Sequence, residues 1–385
     1  MTDFSCITGR LLRFGLLCVW AVAALPVVAQ RNSPFAFDDD YVFWGYPVVY
    51  LNYQAKAAYP LIDRMLQAYP PVEEIDRHRW LTLVTLDQFL HDAEYYRRDA
   101  FYSFVSGRMA RMLDGMDGTV FSGVRVYKLY GSGFILRTRN TTVAIDLVPG
   151  GTTSKPFLTD SVIYEIVSRC DALLITNSDG GHASRNVAKM FVDDGKTVVL
   201  PEGLWSNLGD IMPVGADTLQ THELGAMTLH VLPGHRGNAR NNIYVMDFHG
   251  NGIVAHTGAQ DNDNDWDWMD SVHDLYSIDV LLTKSTDNLE SFLEGFRPRV
   301  VITAHENEME SAVDRRESYW EAQKRMKGVA DLGIPGVIMT WGEAYDYADT
   351  DSPNISSSAS KVMRNGILYI ERKGALYTPA GIKVK

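Results

Sequence analysis

The order in which strand and helix patterns follow one another constrains the fold of this chain more than any other feature. From residue 119 onward, short β-branched runs separated by Gly and Asn come first, and a strand–helix–strand unit follows them. The same succession then repeats, with further short strand runs before a second region of alternating strands and helices. Two similar halves of this kind, each with one sheet and its covering helices, predict an α/β (α+β) chain folded as a four-layer αββα sandwich.

The predicted elements can be placed along the sequence. In the first half, we expect a helix over 183–194 and strands at 119–127, 134–138, 141–147, 172–176 and 197–200. In the second half, we expect helices over 288–296 and 317–326 and strands at 227–232, 242–248, 252–256, 278–283 and 300–303.

The residues before the sandwich have a helical pattern. Apolar residues recur at spacings of three and four, as at Leu86, Phe89, Leu90 and Ala93, and the same spacing continues over 101–113. Two Asp-Gly pairs at 114–118 then end the pattern. We therefore divide the chain into an N-terminal helical segment, residues 30–118, and a main domain, residues 119–385. Because the helices are rich in Tyr, Phe and Met, we expect them to cover the main domain or to pair two copies in a homodimer.

The first 29 residues have the pattern of a signal peptide. Arg10 and Arg13 precede an uncharged apolar run, which ends in the small-residue sequence Val27-Val28-Ala29. The run is short and contains Pro26, so cleavage is favoured over a membrane anchor. We expect an exported protein in the periplasm or outside the cell, with no membrane contact after cleavage.

Charge and cysteine content restrict the partners and the redox chemistry. The formal net charge is −12, which disfavours nucleic acid and anionic lipid as partners and leaves a small-molecule substrate or ligand. Cys6 and Cys18 lie in the predicted signal peptide, so Cys170 would remain alone in the mature chain. No internal disulfide could then form, and we expect Cys170 to be a buried structural residue.

The most informative stretch is residues 171–182, an apolar strand that runs into a polar turn and opens a helix. Here the sequence resembles the metallo-β-lactamase superfamily, in which the strand is followed by Thr-His-x-His-x-Asp-His. On that pattern the first histidine position is Asn177 and the second is Asp179. The aspartate position is Gly181, and the last histidine is His182. Three of the four ligand positions of the motif are therefore altered.

Other landmarks of the superfamily follow in its order and extend the resemblance over residues 119–345. They comprise an opening hairpin (Gly133–Leu136 and Val143–Asp146), the third ligand motif (Pro233–His235), the strand end before the bridging aspartate (His256–Gly258) and the last strand with its terminal histidine (Val300–His305). The bridging-aspartate position itself is Ala259. The resemblance implies a metallo-β-lactamase-like sandwich with a degenerate metal-binding motif.

The resemblance also implies where a metal ion would bind. One ion of the family would be left with Asn177, Asp179 and His235, a poor set for zinc, which favours nitrogen and sulfur ligands. The other would keep only His182 and His305. A mixed site remains, in which His182, His235, His305 and Asp179 hold one divalent metal, with zinc first and manganese or iron as other candidates. The alternative is a pocket without a metal.

Two functions follow from these alternatives. The first is hydrolysis of an ester, lactone, amide or phosphoester by a metal-activated water, with Asp179 completing the metal shell or accepting the proton. The second is a catalytically inactive family member that binds a ligand or a protein. In both cases Asn177, Asp261 and Glu306 are candidates for the pocket wall.

An acidic run follows the bridging-aspartate position. Asp261, Asp263, Asp265 and Asp267 alternate with other residues, as at the start of a calcium loop. However, Trp266 stands where such a loop needs glycine, and Val272 where it needs glutamate. We therefore expect a solvated rim beside the pocket.

Overall fold

The computed structural model describes residues 47–92, 98–120, 122–152, 155–215, 217–286 and 288–348, and three further strands between residues 360 and 377. The predicted signal peptide lies outside these residues. Among the helices of the described part, none is long and apolar enough to cross a membrane. The chain divides into two compact units, Met1–Pro60 and Leu61–Lys385.

The helices are numbered α1 to α9 in chain order. They are α1 (Pro47–Ala68), α2 (Arg77–Leu90), α3 (Asp99–Met116), α4 (Asp160–Arg169), α5 (Arg185–Asp193), α6 (Trp266–Met269), α7 (Val272–Leu275), α8 (Leu289–Phe296) and α9 (Tyr319–Gly328). Single 3₁₀ turns lie at Asp263–Asp265, Val313–Arg315 and Ala330–Leu332.

The strands are numbered β1 to β19. They are β1 (Val124–Lys128), β2 (Phe134–Arg137), β3 (Thr142–Ile145), β4 (Gly151–Thr152), β5 (Lys155–Pro156), β6 (Ala172–Leu174), β7 (Thr197–Pro201), β8 (Ile211–Val214), β9 (Gln220–Leu224), β10 (Met227–Arg236), β11 (Ala239–Asp247), β12 (Ile253–His256), β13 (Val280–Lys284), β14 (Val300–Ala304), β15 (Gly336–Val337), β16 (Ala344–Tyr347), β17 (Ser360–Arg364), β18 (Ile367–Arg372) and β19 (Ala375–Tyr377).

Two seven-stranded sheets form the centre of the second unit. The first has the order β16-β1-β2-β3-β6-β7-β8, and the second has the order β15-β14-β13-β12-β11-β10-β9. In the first sheet β1, β2 and β3 pair antiparallel, whereas β3, β6, β7 and β8 are parallel neighbours. The second sheet repeats this design, with an antiparallel meander from β9 to β12 followed by parallel pairing from β12 to β15. The predicted succession of meander and βαβ is therefore confirmed in both halves.

The two sheets pack face to face through one apolar core. Its buried side chains come from both sheets and include Val126, Phe134, Ile145, Leu174, Leu229, Tyr244, Val254, Leu282 and Ile302. A second cluster joins the outer face of the second sheet to α8 through residues such as Leu281, Phe292 and Phe296. On the first sheet, α5 contacts β6 and β7. These layers confirm the four-layer αββα sandwich, in which each fully buried aliphatic or Phe side chain stabilises the fold by about 1.5–3 kcal/mol.

Buried ion pairs attach α2 and α3 to the end of the sandwich. Arg79 of α2 donates two hydrogen bonds to the carboxylate of Glu343, at 2.9 and 2.6 Å. Arg108 of α3 donates to the carbonyl oxygen of Trp341 at 2.6 Å. Burial works to raise the pKa of Glu343, but the two guanidinium groups outweigh it and hold the pKa below its usual range. The charges therefore compensate each other within the core.

The strand pattern differs from the prediction at the sheet edges. β8 and β9 lie in a stretch where no strand is predicted, and β16 leaves the second half and pairs antiparallel with β1 of the first sheet. These short edge strands have weak alternation in sequence, so their pairing depends on the neighbouring strand that the fold supplies.

Candidate active-site cleft

A cleft of about 480 Å³ lies where the loops after several strands of the two sheets converge. Its wall consists of Tyr130, Asp179, Gly180, Gly181, His182, Arg236, Ala259, Asp261, Lys284, Thr286, His305, Glu308, Glu310, Ser311, Arg315, Arg316 and Glu317. The turn after β6 enters the cleft and ends at Ser184, whose hydroxyl oxygen accepts a hydrogen bond from the Val187 amide and caps α5. The position of the cleft agrees with the part of the chain where the sequence places the altered motif.

His182 is held from behind by a buried carboxylate. Its Nδ1 lies 2.7 Å from Oδ2 of Asp146, and the hydroxyl groups of Ser132 and Thr176 lie within 3.2 Å of the same nitrogen. The Thr176 amide donates to the other Asp146 oxygen at 2.8 Å. Burial works to raise the pKa of Asp146, but His182 outweighs it, so the pKa lies below its usual range. This arrangement fixes the ring, and Nε2 of His182 has no hydrogen bond within the described residues.

His305 is the second imidazole of the cleft, and its ring centroid lies 5.1 Å from that of His182. It follows β14 in the left-handed region with φ 72°, and its amide donates to the Gly131 carbonyl oxygen. Nδ1 lies 2.7 Å from Oε1 of Glu308. Burial favours a raised pKa at Glu308, but His305 more than offsets it and the pKa lies below its usual range. Nε2 of His305 is buried and has no hydrogen-bond partner among the described residues.

His235 does not join these two histidines. Its Nδ1 lies 3.1 Å from Oδ2 of Asp265, and its backbone amide donates to Oε1 of Gln260 at 2.6 Å. Gln260 in turn donates to Asp265 at 2.7 Å. Asp265 is only 6% exposed, so the expectation of a solvated rim is wrong at this position. The 3₁₀ turn Asp263–Asp265 brings this carboxylate inward, where it orients His235.

Asp179, predicted as the catalytic carboxylate and a metal ligand, forms an ion pair with Arg236. Arg236 ends β10, and the carboxylate and the guanidinium both lie in the cleft wall. The Asp179 carboxylate therefore has a partner of opposite charge, Arg236, within the same cleft wall.

The three predicted pocket residues have different positions. Asp261 lines the cleft, and its Oδ1 accepts a hydrogen bond from the Gly237 amide at 2.6 Å. In contrast to the prediction, Asn177 is buried, and its side chain donates to Oδ1 of Asn241 at 3.1 Å, where the two sheets meet. Glu306 is also buried away from the wall, at 2% exposure. Burial raises the pKa of Glu306, and the nearby Lys128 ammonium reduces the shift.

The residues do not fit the metal centre that the resemblance implies. Within the described part of the chain, no group of three or more His, Cys, Asp or Glu side chains is placed to hold a metal ion. His235 is not among the residues that line the cleft and Asp179 pairs with Arg236, so the predicted set of His182, His235, His305 and Asp179 does not assemble within the described residues. Gly181 and Ala259 offer no side-chain donor. Two imidazoles remain, which is fewer than the three protein ligands of a catalytic zinc site.

Several cleft residues were not predicted from the sequence. Arg236, Lys284, Glu308 and Arg315 line the wall, and no motif marks them. For Lys284 a signal exists in the sequence, because it directly follows a buried strand that runs toward the same edge as Val300–Ala304. Arg236, Glu308 and Arg315 reach the cleft through the conformations of their loops, which the sequence does not indicate.

Comparisons with known proteins are consistent with this fold. No model of a known protein family matches the chain, and no curated protein matches its sequence. Among solved structures, the chain is similar to Igni18, a metallo hydrolase from the archaeon Ignicoccus hospitalis, with 14% identity over 58% of this chain and 99% of that one and a TM-score of 0.46. A possible metal-dependent hydrolase from Veillonella parvula gives 12% identity, 59% and 100% coverage and a TM-score of 0.47.

The metallo-β-lactamase-fold protein YhfI from Bacillus subtilis gives 11% identity over 59% of this chain and 100% of that one, with a TM-score of 0.42. The last of these structures is described as having the metallo-β-lactamase fold. Similarities of this size give no information about substrate or mechanism, and the fold assignment rests on the two sheets and their helices.

Proposed function

We propose that the cleft of this hydrolase-like sandwich binds a small molecule and that binding needs no resident metal ion. The observation that carries the proposal is the ion pair between Asp179 and Arg236. Asp179 is the one carboxylate of the altered motif that could supplement the histidines, and it faces a guanidinium group of the cleft wall. A guanidinium group repels a cation at the same place and stays charged at every physiological pH.

The remaining ligand positions support the same function. Gly181 and Ala259 stand where the superfamily has aspartates, and both line the cleft without contributing a donor atom. The cleft has a volume in the range of small-molecule sites. A cleft of this size, in which the described residues assemble no metal-ligand cluster, is suited to recognition.

A second candidate is hydrolysis, and one observation favours it. Nδ1 of His182 and Nδ1 of His305 are each held by a carboxylate, which directs both Nε2 lone pairs away from those partners. This is the orientation that histidine ligands adopt in metal sites. It supplies two protein ligands, and a third would have to come from outside the described residues.

Metal content distinguishes the two candidates. The protein is purified without a histidine tag, incubated with zinc, manganese or iron, desalted and measured by plasma mass spectrometry beside the His182→Ala and His305→Ala variants. We expect less than a tenth of an equivalent of metal in all three proteins. About one equivalent in the wild type, lost in both variants, would instead support the hydrolase, as would metal-stimulated turnover of ester or phosphoester substrates.

A further inference from the structure

We infer that the ligand of this cleft is an oxyanion, a small molecule that carries a carboxylate or phosphate group, and that Lys284 and Arg315 recognise it. The inference rests on the proposed function and adds the chemical class of the ligand. It follows from which charged side chains of the cleft already have partners.

Four basic side chains line the cleft, and two of them are engaged within the protein. Arg236 is paired with Asp179. Arg316 donates to the backbone carbonyl oxygens of Ser311, Leu90 and Met309 at 2.7–3.0 Å. These two guanidinium groups hold the cleft wall together.

The other two cations have no such partner. Within the part of the chain that the structure describes, neither Lys284 nor Arg315 forms an ion pair or a side-chain hydrogen bond. Lys284 ends β13 and is partly buried. Burial lowers the pKa of its ammonium group, while the carboxylates of Asp261 and Glu308 act in the opposite direction. A partly desolvated ammonium group without a hydrogen-bond acceptor is destabilising, so an anion that reaches Lys284 gains a strong interaction. Arg315 is exposed and contributes its charge and its hydrogen-bond donors at the mouth of the cleft.

The acidic side chains of the cleft are satisfied by the protein. Each of the five accepts a hydrogen bond or forms an ion pair: Asp179 with Arg236, Asp261 with the Gly237 amide, Glu308 with His305, Glu310 with Tyr130, and Glu317 with Arg325 and Ser285. The groups left for a ligand are therefore the two cations and the polar atoms beside them.

One such polar atom lies in the wall. Oγ1 of Thr286 is buried without a hydrogen-bond partner in the described residues. Thr286 is two residues from Lys284, so its hydroxyl can donate to the same oxyanion that the ammonium binds. Buried polar atoms are normally paired, and a ligand group between Lys284 and Thr286 would supply a hydrogen-bond partner for this hydroxyl.

The test is isothermal titration of metal-depleted protein with inorganic phosphate and, separately, with succinate. Metal is removed with a chelating resin, because soluble chelators are themselves polyanions. The variants are Lys284→Gln and Arg315→Gln. Lys189→Gln is the matched control, since Lys189 is exposed on α5 and pairs with Asp193 away from the cleft.

We expect saturable binding of at least one probe, weakened about tenfold by either cleft variant and unchanged in the control. The preferred probe identifies the anionic group. Absence of binding to both probes with and without added metal, or equal affinity in Lys284→Gln and wild type, would overturn the inference. Binding that appears only after metal is restored, but is still weakened by Lys284→Gln, would refute the metal-independent function while leaving the oxyanion assignment intact.

Discussion

Nδ1 of His182 lies 2.7 Å from Oδ2 of Asp146, and neither residue is more than 3% exposed. The pair connects the cleft to the turn after β3, so the imidazole cannot rotate without leaving a buried carboxylate unpaired. An unpaired buried charge is far more costly than a lost surface contact. The geometry of this histidine is therefore tied to the stability of the whole sandwich.

Substituting Asp146→Asn should destabilise the fold by about 3–5 kcal/mol, because it breaks a fully buried pair. Since the pKa of Asp146 is held below its usual range, the stability from its ionised form is present above the unfolded pKa and is lost as the pH falls through the folded pKa. Urea unfolding at pH 7 measures the loss, with Asp193→Asn on the surface of α5 as the control. Equal unfolding midpoints for the two variants would contradict the assigned role.

Arg79→Ala should also destabilise by about 3–5 kcal/mol, because it removes both short hydrogen bonds to the buried Glu343 carboxylate and leaves only the longer contact with Arg108. Arg125 forms a similar hydrogen-bonded pair with Asp346 near the surface, where the aspartate side chain is 61% exposed. Arg125→Ala is therefore the matched control, with an expected cost of less than about 1 kcal/mol. Thermal and urea unfolding compare the two, and similar losses would show that burial does not decide the strength of the pair.

Asp87 should give the free energy of unfolding a pH dependence opposite in sign to that from Asp146. Burial raises its pKa to about 6, although its carboxylate accepts hydrogen bonds from the amides of Tyr319 and Trp320. For a raised folded pKa, the stabilising contribution is present below the unfolded pKa and is lost as the pH rises through about 6.

The wild type should therefore lose on the order of 2–3 kcal/mol between pH 4 and pH 7 relative to Asp87→Asn. Free energies of unfolding measured at intervals across this range give the difference. A constant difference between the two proteins at every pH would rule out titration of Asp87 as its cause.

The proposed absence of a metal site can be tested by building one. An added Cβ at Gly181 meets no atom within 4 Å, so Gly181→Asp has room, and Ala259→Asp would supply the bridging position. With His182 and His305 already oriented, the double variant should bind about one equivalent of zinc. Plasma mass spectrometry measures the gain. The same double variant carrying His305→Ala is the control and should bind none; zinc binding in it would locate the metal elsewhere.

As the pH rises, anion binding should be lost at a lower pH than it would be with an ordinary lysine. Burial lowers the pKa of Lys284, and the oxyanion needs its protonated form. Succinate affinity should therefore fall as the pH rises through this lowered pKa, whereas Lys284→Arg should extend binding to higher pH because a guanidinium stays protonated. Titrations at pH 7 to 10 provide the comparison, and identical profiles for wild type and variant would exclude Lys284 as the titrating group.

The sequence predicted the framework well because strand and helix periods depend on local pattern. The buried strands at 172–174, 280–284 and 300–304 lie close to their expected places, and the order of the motifs located the cleft. The edge strand β16 was not predicted, since nothing in its short sequence specifies β1 as its partner.

The chemistry of the cleft was less predictable. His182 and His305 do come together, but the orientation of His235 depends on Asp265, which a 3₁₀ turn carries inward. The pairing of Asp179 with Arg236 depends on how the β10–β11 hairpin approaches the turn after β6. Such relations join distant segments through loop conformations, which local sequence patterns do not encode.

The strand β16 also decides how the sandwich can form. Val124 pairs with Tyr347, so one edge of the first sheet is completed only by residues that follow the entire second half. The loop closed by this pairing is almost as long as the sandwich, and the entropy of closing it must be overcome before its contacts are gained. The two halves therefore cannot be separated into self-sufficient fragments: a chain cut before residue 344 leaves β1 as an open edge, exposed to pairing with other chains.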